Sequence, residues 1–182
     1  MNTTEIKIGG FGGQGVIMAG MIIGRGATIF ENKFATLTQS FGPEARGSAC
    51  SAQLIVSDEA ILYPYVTQPD LLVLMSQEAY RKFFPEMSPG GKLLYEEELI
   101  QLPPGVKEEY ETYGVPATRL AEEIGRKIVL NLVMTGFFTA ISDVLSADAI
   151  RSSIRESVPP GTETLNLLAF ERGYSYGLKL RD

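Results

Sequence analysis

The sequence predicts an α/β fold, with a mostly parallel sheet flanked by helices and a helical C-terminal third. Two observations carry this prediction. Short apolar strand patterns alternate with helical ones through the first two thirds of the chain, and only helical patterns follow residue 127. The chain has 182 residues, of which 45% are hydrophobic and 21% charged, and this balance suits a single globular domain over residues 1–182.

The N-terminal segment is a strand–helix–strand unit. It predicts, in order, a strand, a glycine-rich turn, an apolar helix and a second strand, at residues 5–9, 9–15, 16–30 and 33–39. Gly20 and Gly24 lie one turn apart on the helix, so we expect it to lie close against the sheet. Such units are right-handed and build parallel sheets, so the expected sheet is Rossmann-like.

The middle of the chain supplies the other strands. Predicted strands occupy residues 49–57, 70–76, 92–95 and 110–115, with a short return strand at 61–63 and a helix at 77–84. Residues 70–76 are almost all apolar, as in a central strand that is covered on both faces. Pro85 ends the helix.

The last third predicts four helices, at residues 116–125, 128–145, 147–157 and 162–178. Pro116 suits the first turn of the first helix, and Ser146 suits the N-cap of the third. The segment at 128–145 is strongly apolar, but polar side chains such as Asn131 and Asp143 interrupt it. We therefore expect a helix buried in a soluble core and no contact with a membrane.

Composition excludes several kinds of active site. The chain has no His and a single Cys, Cys50. It therefore holds no Ser-His-Asp or Cys-His catalytic unit, no His-containing zinc site and no iron–sulfur cluster bound by four of its own thiolates. We expect no catalytic residue, no metal site, a buried Cys50 and a cytoplasmic location. The net charge of −6 argues against nucleic acid as a partner.

The glycine-rich turn is the first candidate binding site. Gly10, Gly12 and Gly15 form the pattern G-x-G-x-x-G between a strand and a helix, and Gly13 and Gln14 lie within it. Glycines let the backbone approach a ligand, and the start of the helix favours an anion such as a phosphate. Gln14 would add an amide donor and acceptor at the carboxyl edge of the sheet. The alternative is a tight turn without a ligand.

Neither common nucleotide-binding pattern is complete. The second strand ends in Thr38-Gln39-Ser40, without the Asp or Glu that binds the ribose in dinucleotide-binding domains. Val16 and Ile17 follow the last glycine, where a Walker A loop has Lys and then Ser or Thr. A stand-alone nucleotide-binding protein is therefore an alternative that the sequence disfavours.

A second candidate site follows the second strand, at Gly42, Pro43, Glu44, Arg46 and Gly47. We expect this loop to open at the same sheet edge as the glycine-rich turn, with Glu44 and Arg46 facing a ligand or a partner chain. The alternative is an ion pair on the surface, worth about 0–1 kcal/mol.

The two loops, together with Val56-Ser57-Asp58, residues 69–74 and the apolar helix around Asn131, resemble the gamma subunit of 2-oxoacid:ferredoxin oxidoreductases. The resemblance covers almost the whole chain. The 2-oxoglutarate type is favoured, and the pyruvate and 2-oxoisovalerate types are close competitors.

The resemblance implies a role within a larger enzyme. That family decarboxylates a 2-oxoacid on thiamine diphosphate with Mg, passes electrons through iron–sulfur clusters to ferredoxin, and transfers the acyl group to coenzyme A. Alpha, beta and delta-type chains would hold those cofactors, and this chain alone would be inactive. Its part would be assembly and the positioning of coenzyme A. A purely structural scaffold is the alternative.

Overall fold

A computed structural model describes residues 3–42 and 48–181, which form a six-stranded sheet flanked by helices. The strands are β1 (Thr3–Phe11), β2 (Phe34–Ser40), β3 (Ala49–Ser57), β4 (Leu71–Leu74), β5 (Lys92–Glu96) and β6 (Glu111–Val115). The α-helices are α1 (Val16–Arg25), α2 (Gln77–Phe83), α3 (Val106–Glu109), α4 (Ala117–Glu123), α5 (Leu130–Ser142), α6 (Ala147–Ser157) and α7 (Glu163–Arg181). The predicted α/β class and helical C-terminal third are confirmed.

The sheet is mixed, with the strand order β2-β3-β1-β4-β5-β6. β1, β4, β5 and β6 are parallel neighbours, whereas β3 pairs antiparallel with both β1 and β2. Five strands therefore run in one direction, as a mostly parallel sheet requires, but β2 is not adjacent to β1. The alternation of apolar side chains in β3 defines its two faces and not its direction, so the sequence pattern did not place it between them.

Several predicted boundaries are wrong. The helix expected at 16–30 is α-helical as far as Arg25 and ends in a π-helical turn at Gly26–Phe30, where the Thr28 hydroxyl donates to the Gly24 carbonyl. The helix expected at 128–145 ends at Ser142, because the next residue, Asp143, has a left-handed backbone (φ 54°). The predicted return strand at 61–63 is absent from this described segment, where Leu62 is 96% exposed and has no core to face.

Two apolar layers cover the sheet. On one face, α1, α5, α6 and α7 enclose a core in which Phe137, Phe138 and Phe170 are almost inaccessible to solvent. On the other face, Phe83 of α2 belongs to a second buried cluster that includes Leu72 and Leu93. Burying one such aromatic side chain stabilises the fold by roughly 1.5–3 kcal/mol. No helix within the described residues is both long and apolar enough to cross a membrane.

Glycines bring helices close to their neighbours. A Cβ added to Gly20 of α1 would stand 2.8 Å from the Cβ of Ala52 on β3, which confirms the expected close approach to the sheet. A Cβ on Gly173 of α7 would overlap the backbone carbonyl oxygen of Val133 on α5. The α5–α7 pair is therefore held at backbone distance.

Candidate functional site

The glycine-rich turn joins β1 to α1 at the carboxyl edge of the parallel strands. The backbone N–H of Gln14 donates to the carbonyl of Phe11 at 3.1 Å and closes the turn. Gly13 and Gly15 have φ values of 102° and 75°, in the left-handed region that favours glycine. Gly12 and Gly13 are exposed at its tip. The turn thus requires glycine for its own conformation.

The side chain of Gln14 fastens this turn to the sheet. Its Oε1 accepts a hydrogen bond from the N–H of Phe11 at 2.8 Å, and its Nε2 donates to the carbonyl of Met75 at 2.9 Å, just beyond β4. A Cβ on Gly10 would stand 2.6 Å from that Oε1, so position 10 needs glycine to leave room for the Gln14 amide. Gln14 therefore positions the turn, and its predicted contact with a ligand stays a prediction.

The first turn of α1 has backbone donors that the helix does not use. Gly15 is the N-cap and no side chain caps the helix. The first N–H with a partner inside the helix belongs to Ala19, which donates to the Gly15 carbonyl at 3.0 Å. The N–H groups of residues 16–18 thus have no partner within the helix, and the dipole of the helix makes this end favourable for an anion.

A cleft of about 690 Å³ lies beside this helix start. Its walls come from the glycine-rich turn and the first turn of α1, from the segment that leads into α5, and from the connection between α6 and α7. The lining is mostly apolar, and its polar side chains include Arg126, Asn131, Thr162 and Asn166. A cleft of this volume and character suits an organic ligand of nucleotide size.

Arg126 supplies a positive charge to the cleft. Its side chain is exposed and makes no hydrogen bond or ion pair with the described residues. The neighbouring Lys127, in contrast, pairs with Glu122 at 2.6 Å and does not line the cleft. Among the residues that the structure describes, Arg126 is therefore the cation that the cleft offers to an anionic ligand. No sequence pattern indicates Arg126, because a single Arg in a helical region has no distinguishing neighbours.

Asn131 links α5 to the glycine-rich turn. It is 2% exposed, and its Nδ2 donates to the carbonyl of Gly15 at 3.3 Å. A Cβ on Gly15 would stand 2.5 Å from this Nδ2, so the glycine also makes room for the asparagine. Asn166 on α7 is 8% exposed and donates to the carbonyl of Thr162 at 2.8 Å. No sequence signal singled out Asn166.

The second candidate loop is described only at its ends. Gly42 lies within the described residues, whereas Pro43, Glu44, Arg46 and Gly47 lie outside them. Ser40 pairs with Ser51, and Ala49 pairs with Phe11, so both ends of the loop stand at the same sheet edge as the glycine-rich turn. Phe41 and Cys50 line the cleft itself. The roles of Glu44 and Arg46 stay predictions.

Cys50 and Glu96 are buried titratable groups near this edge. Burial raises the pKa of the Cys50 thiol, so the side chain behaves as a neutral core residue, as predicted. Burial also raises the pKa of Glu96 at the end of β5, and N–H groups such as that of Thr118 only partly oppose this. Glu96 does not line the cleft, and residues 3–42 and 48–181 contain no cluster of metal ligands.

Comparison with known proteins places the chain in a family. Residues 5–176 match the model of the pyruvate ferredoxin/flavodoxin oxidoreductase family. The chain belongs to this family. Among its relatives, the 2-oxoglutarate synthase subunit KorC of Methanocaldococcus jannaschii is 45% identical over 177 residues, which are 97% of this chain and 95% of that subunit.

Solved structures have the same fold. The gamma subunit of a keto/oxoacid ferredoxin oxidoreductase from Geobacter sulfurreducens is 36% identical, with a TM-score of 0.85 over 97% of this chain and 99% of that one. A 2-oxoglutarate:ferredoxin oxidoreductase from Magnetococcus marinus, solved with 2-oxoglutarate, coenzyme A and succinyl-CoA bound, is 20% identical with a TM-score of 0.86. There the fold spans 97% of this chain but only 31% of the longer chain.

Proposed function

We propose that this chain is the gamma subunit of a multi-subunit 2-oxoacid:ferredoxin oxidoreductase of the 2-oxoglutarate type. The observation that carries this is the 45% identity to a 2-oxoglutarate synthase subunit over nearly the full length of both chains. The Geobacter gamma subunit, which is matched end to end, supports the same role. The complex would oxidise a 2-oxoacid to its acyl-CoA and pass the electrons to ferredoxin, in the reducing cytoplasm where a free Cys50 is stable.

Other chains would carry the redox chemistry. With one Cys, this chain holds no iron–sulfur cluster bound by four of its own thiolates, so the clusters would belong to other subunits. In this proposal, alpha, beta and delta-type subunits carry the clusters together with thiamine diphosphate and Mg. The longer Magnetococcus chain supports such partners, because the same fold occupies only 31% of it. The rest of that chain corresponds, in this proposal, to separate subunits here.

The cleft is the proposed site for coenzyme A. The N–H groups at the start of α1, which have no partner within the helix, and the exposed guanidinium of Arg126 suit its phosphates. The apolar walls suit the long arm that ends in its thiol. In this proposal Gly10, Gly12, Gly13, Gln14 and Gly15 shape the phosphate end, Gln14 from beneath the turn.

Arg126→Ala in the assembled complex tests this site. We expect the KM for coenzyme A to rise about tenfold, because one charge-assisted contact to a phosphate is lost. Lys127→Ala is the matched control, since it removes the same charge from the adjacent residue, whose partner Glu122 lies outside the cleft. Equal KM values for coenzyme A in the two variants would exclude the cleft as its binding site.

A scaffold without a ligand is the second candidate, and the use of both ends of the Gln14 amide on the backbone favours it. It predicts that changes in the glycine-rich turn weaken assembly and leave the kinetics of assembled enzyme unchanged.

Titration of the chain with NAD, NADP and FAD tests the alternative of a stand-alone nucleotide-binding protein, which requires micromolar binding.

A further inference from the structure

Two buried asparagines of the cleft leave the same atom unused. The Nδ2 of Asn131 donates to the Gly15 carbonyl, and the Nδ2 of Asn166 donates to the Thr162 carbonyl and hydroxyl, at 2.8 and 3.0 Å. If either side-chain amide were flipped, its Oδ1 would face a backbone carbonyl oxygen. The orientation of each asparagine amide is therefore fixed. The Oδ1 of each side chain accepts no hydrogen bond from the described residues.

Both of these oxygens belong to side chains that are more than nine-tenths buried, since Asn131 is 2% and Asn166 is 8% exposed. Neither Oδ1 is among the fully enclosed polar atoms without a partner, so each reaches open space, and the space that both side chains line is the cleft. Each oxygen therefore presents an acceptor to the cleft from a side chain that its Nδ2 hydrogen bonds hold in place. The unused pair therefore points to a donor that arrives with a ligand.

We propose that the Oδ1 atoms of Asn131 and Asn166 accept hydrogen bonds from amide N–H groups on the apolar arm of the ligand. This rests on the proposed function, in which the ligand is coenzyme A, whose pantetheine arm carries two secondary amides. Carbonyl oxygens repel phosphate oxygens, so the asparagines select the arm and leave the phosphates to Arg126 and the start of α1. The pair sets the direction in which the ligand lies.

Asn166→Leu is the direct test, because the hydrogen bonds of the Asn166 side chain go only to Thr162, at the start of the same helix. Asn131, in contrast, also holds the glycine-rich turn through Gly15. Calorimetric titration of the full chain would compare coenzyme A with adenosine 3′,5′-bisphosphate, which lacks the arm. We expect affinity for coenzyme A to fall about tenfold and that for the bisphosphate to change less than about twofold. Equal losses for both ligands, or no loss, would overturn the inference.

Thr139→Val serves as the control, since Thr139 is a buried hydroxyl on α5 that bonds Thr135 and does not line the cleft. A second measurement needs no substitution. The side-chain amide NMR signals of Asn166 should shift on addition of coenzyme A or pantetheine and stay in place with the bisphosphate, whereas those of Asn131, which donates to Gly15 at the phosphate end, should respond to both ligands. Binding of coenzyme A without such shifts contradicts the inference, whereas no binding at all contradicts the proposed function.

Discussion

Gln14 shows how a residue in a ligand-binding pattern can serve the turn itself. The sequence indicates an amide among glycines at a sheet edge, and the structure places it there. Its partner Met75 is 61 residues away, so no spacing in the sequence could reveal that the amide joins β1 to the end of β4. The same holds for Asn131, whose bond to Gly15 spans 116 residues.

Gln14→Ala should lower the free energy of unfolding by about 1–3 kcal/mol, because the N–H of Phe11 and the carbonyl of Met75 lose their common partner. Urea unfolding followed by circular dichroism measures this. Gln77→Ala is the matched control, since Gln77 makes the same pair of bonds to the backbone of Gln101 at an exposed site. If Gln14→Ala lowers the free energy of unfolding no more than Gln77→Ala does, the Gln14 side chain does not hold the turn to the sheet.

Glu96→Gln should stabilise the protein in a pH-dependent way. Burial raises the pKa of Glu96 above its ordinary value of 4.5, so the folded state favours the neutral acid. Wild-type stability is then lost as the pH rises through that raised pKa, whereas a glutamine stays neutral. The two proteins should have similar stability below about pH 4.5 and diverge above it, as urea unfolding between pH 4 and about 8 would show.

Glu109→Gln controls for the loss of one negative charge at an exposed position. If Glu96→Gln follows the same pH profile as this control, burial of the carboxyl at the end of β5 does not govern its ionisation.

At the scale of elements, the sequence predicts type and order well and contacts less well. The apolar run of β4 and the cap of α6 are as predicted, with the Ser146 hydroxyl accepting from the N–H of Ala149 at 3.2 Å. The insertion of β3 between β1 and β2 was missed, because strand direction depends on pairing across the sheet. That insertion nevertheless keeps the ends of both candidate loops at one edge.

Gly173→Ala should destabilise the fold by about 2–4 kcal/mol, because the added methyl group overlaps the Val133 carbonyl where α7 crosses α5. Gly24→Ala on α1 is the matched control. Its added methyl group meets only the Leu54 side chain at 3.5 Å, so it should stabilise the helix by about 0.5–1 kcal/mol. Thermal unfolding of the two variants measures the difference, and similar stabilities would contradict the close packing of α5 and α7.

At the scale of the whole molecule, the fold and the family could be predicted from the sequence, and the cleft could not. Two loop motifs at a known separation carry the family. The cleft draws its polar groups from residues 126, 131, 162 and 166, which become neighbours of the glycine-rich turn only when α5 and α7 pack together. Sequence patterns reflect local periodicity, so they cannot predict a site that is formed by helix starts far apart in the sequence.

Purification of the native complex at low salt, through a tag on this chain, tests whether the chain is a subunit of a larger oxidoreductase. We expect co-purifying subunits that carry thiamine diphosphate and iron–sulfur clusters, and reduction of ferredoxin that requires both a 2-oxoacid and coenzyme A. Recovery of the chain by itself, with a nicotinamide or flavin nucleotide bound and no such partners, would contradict it.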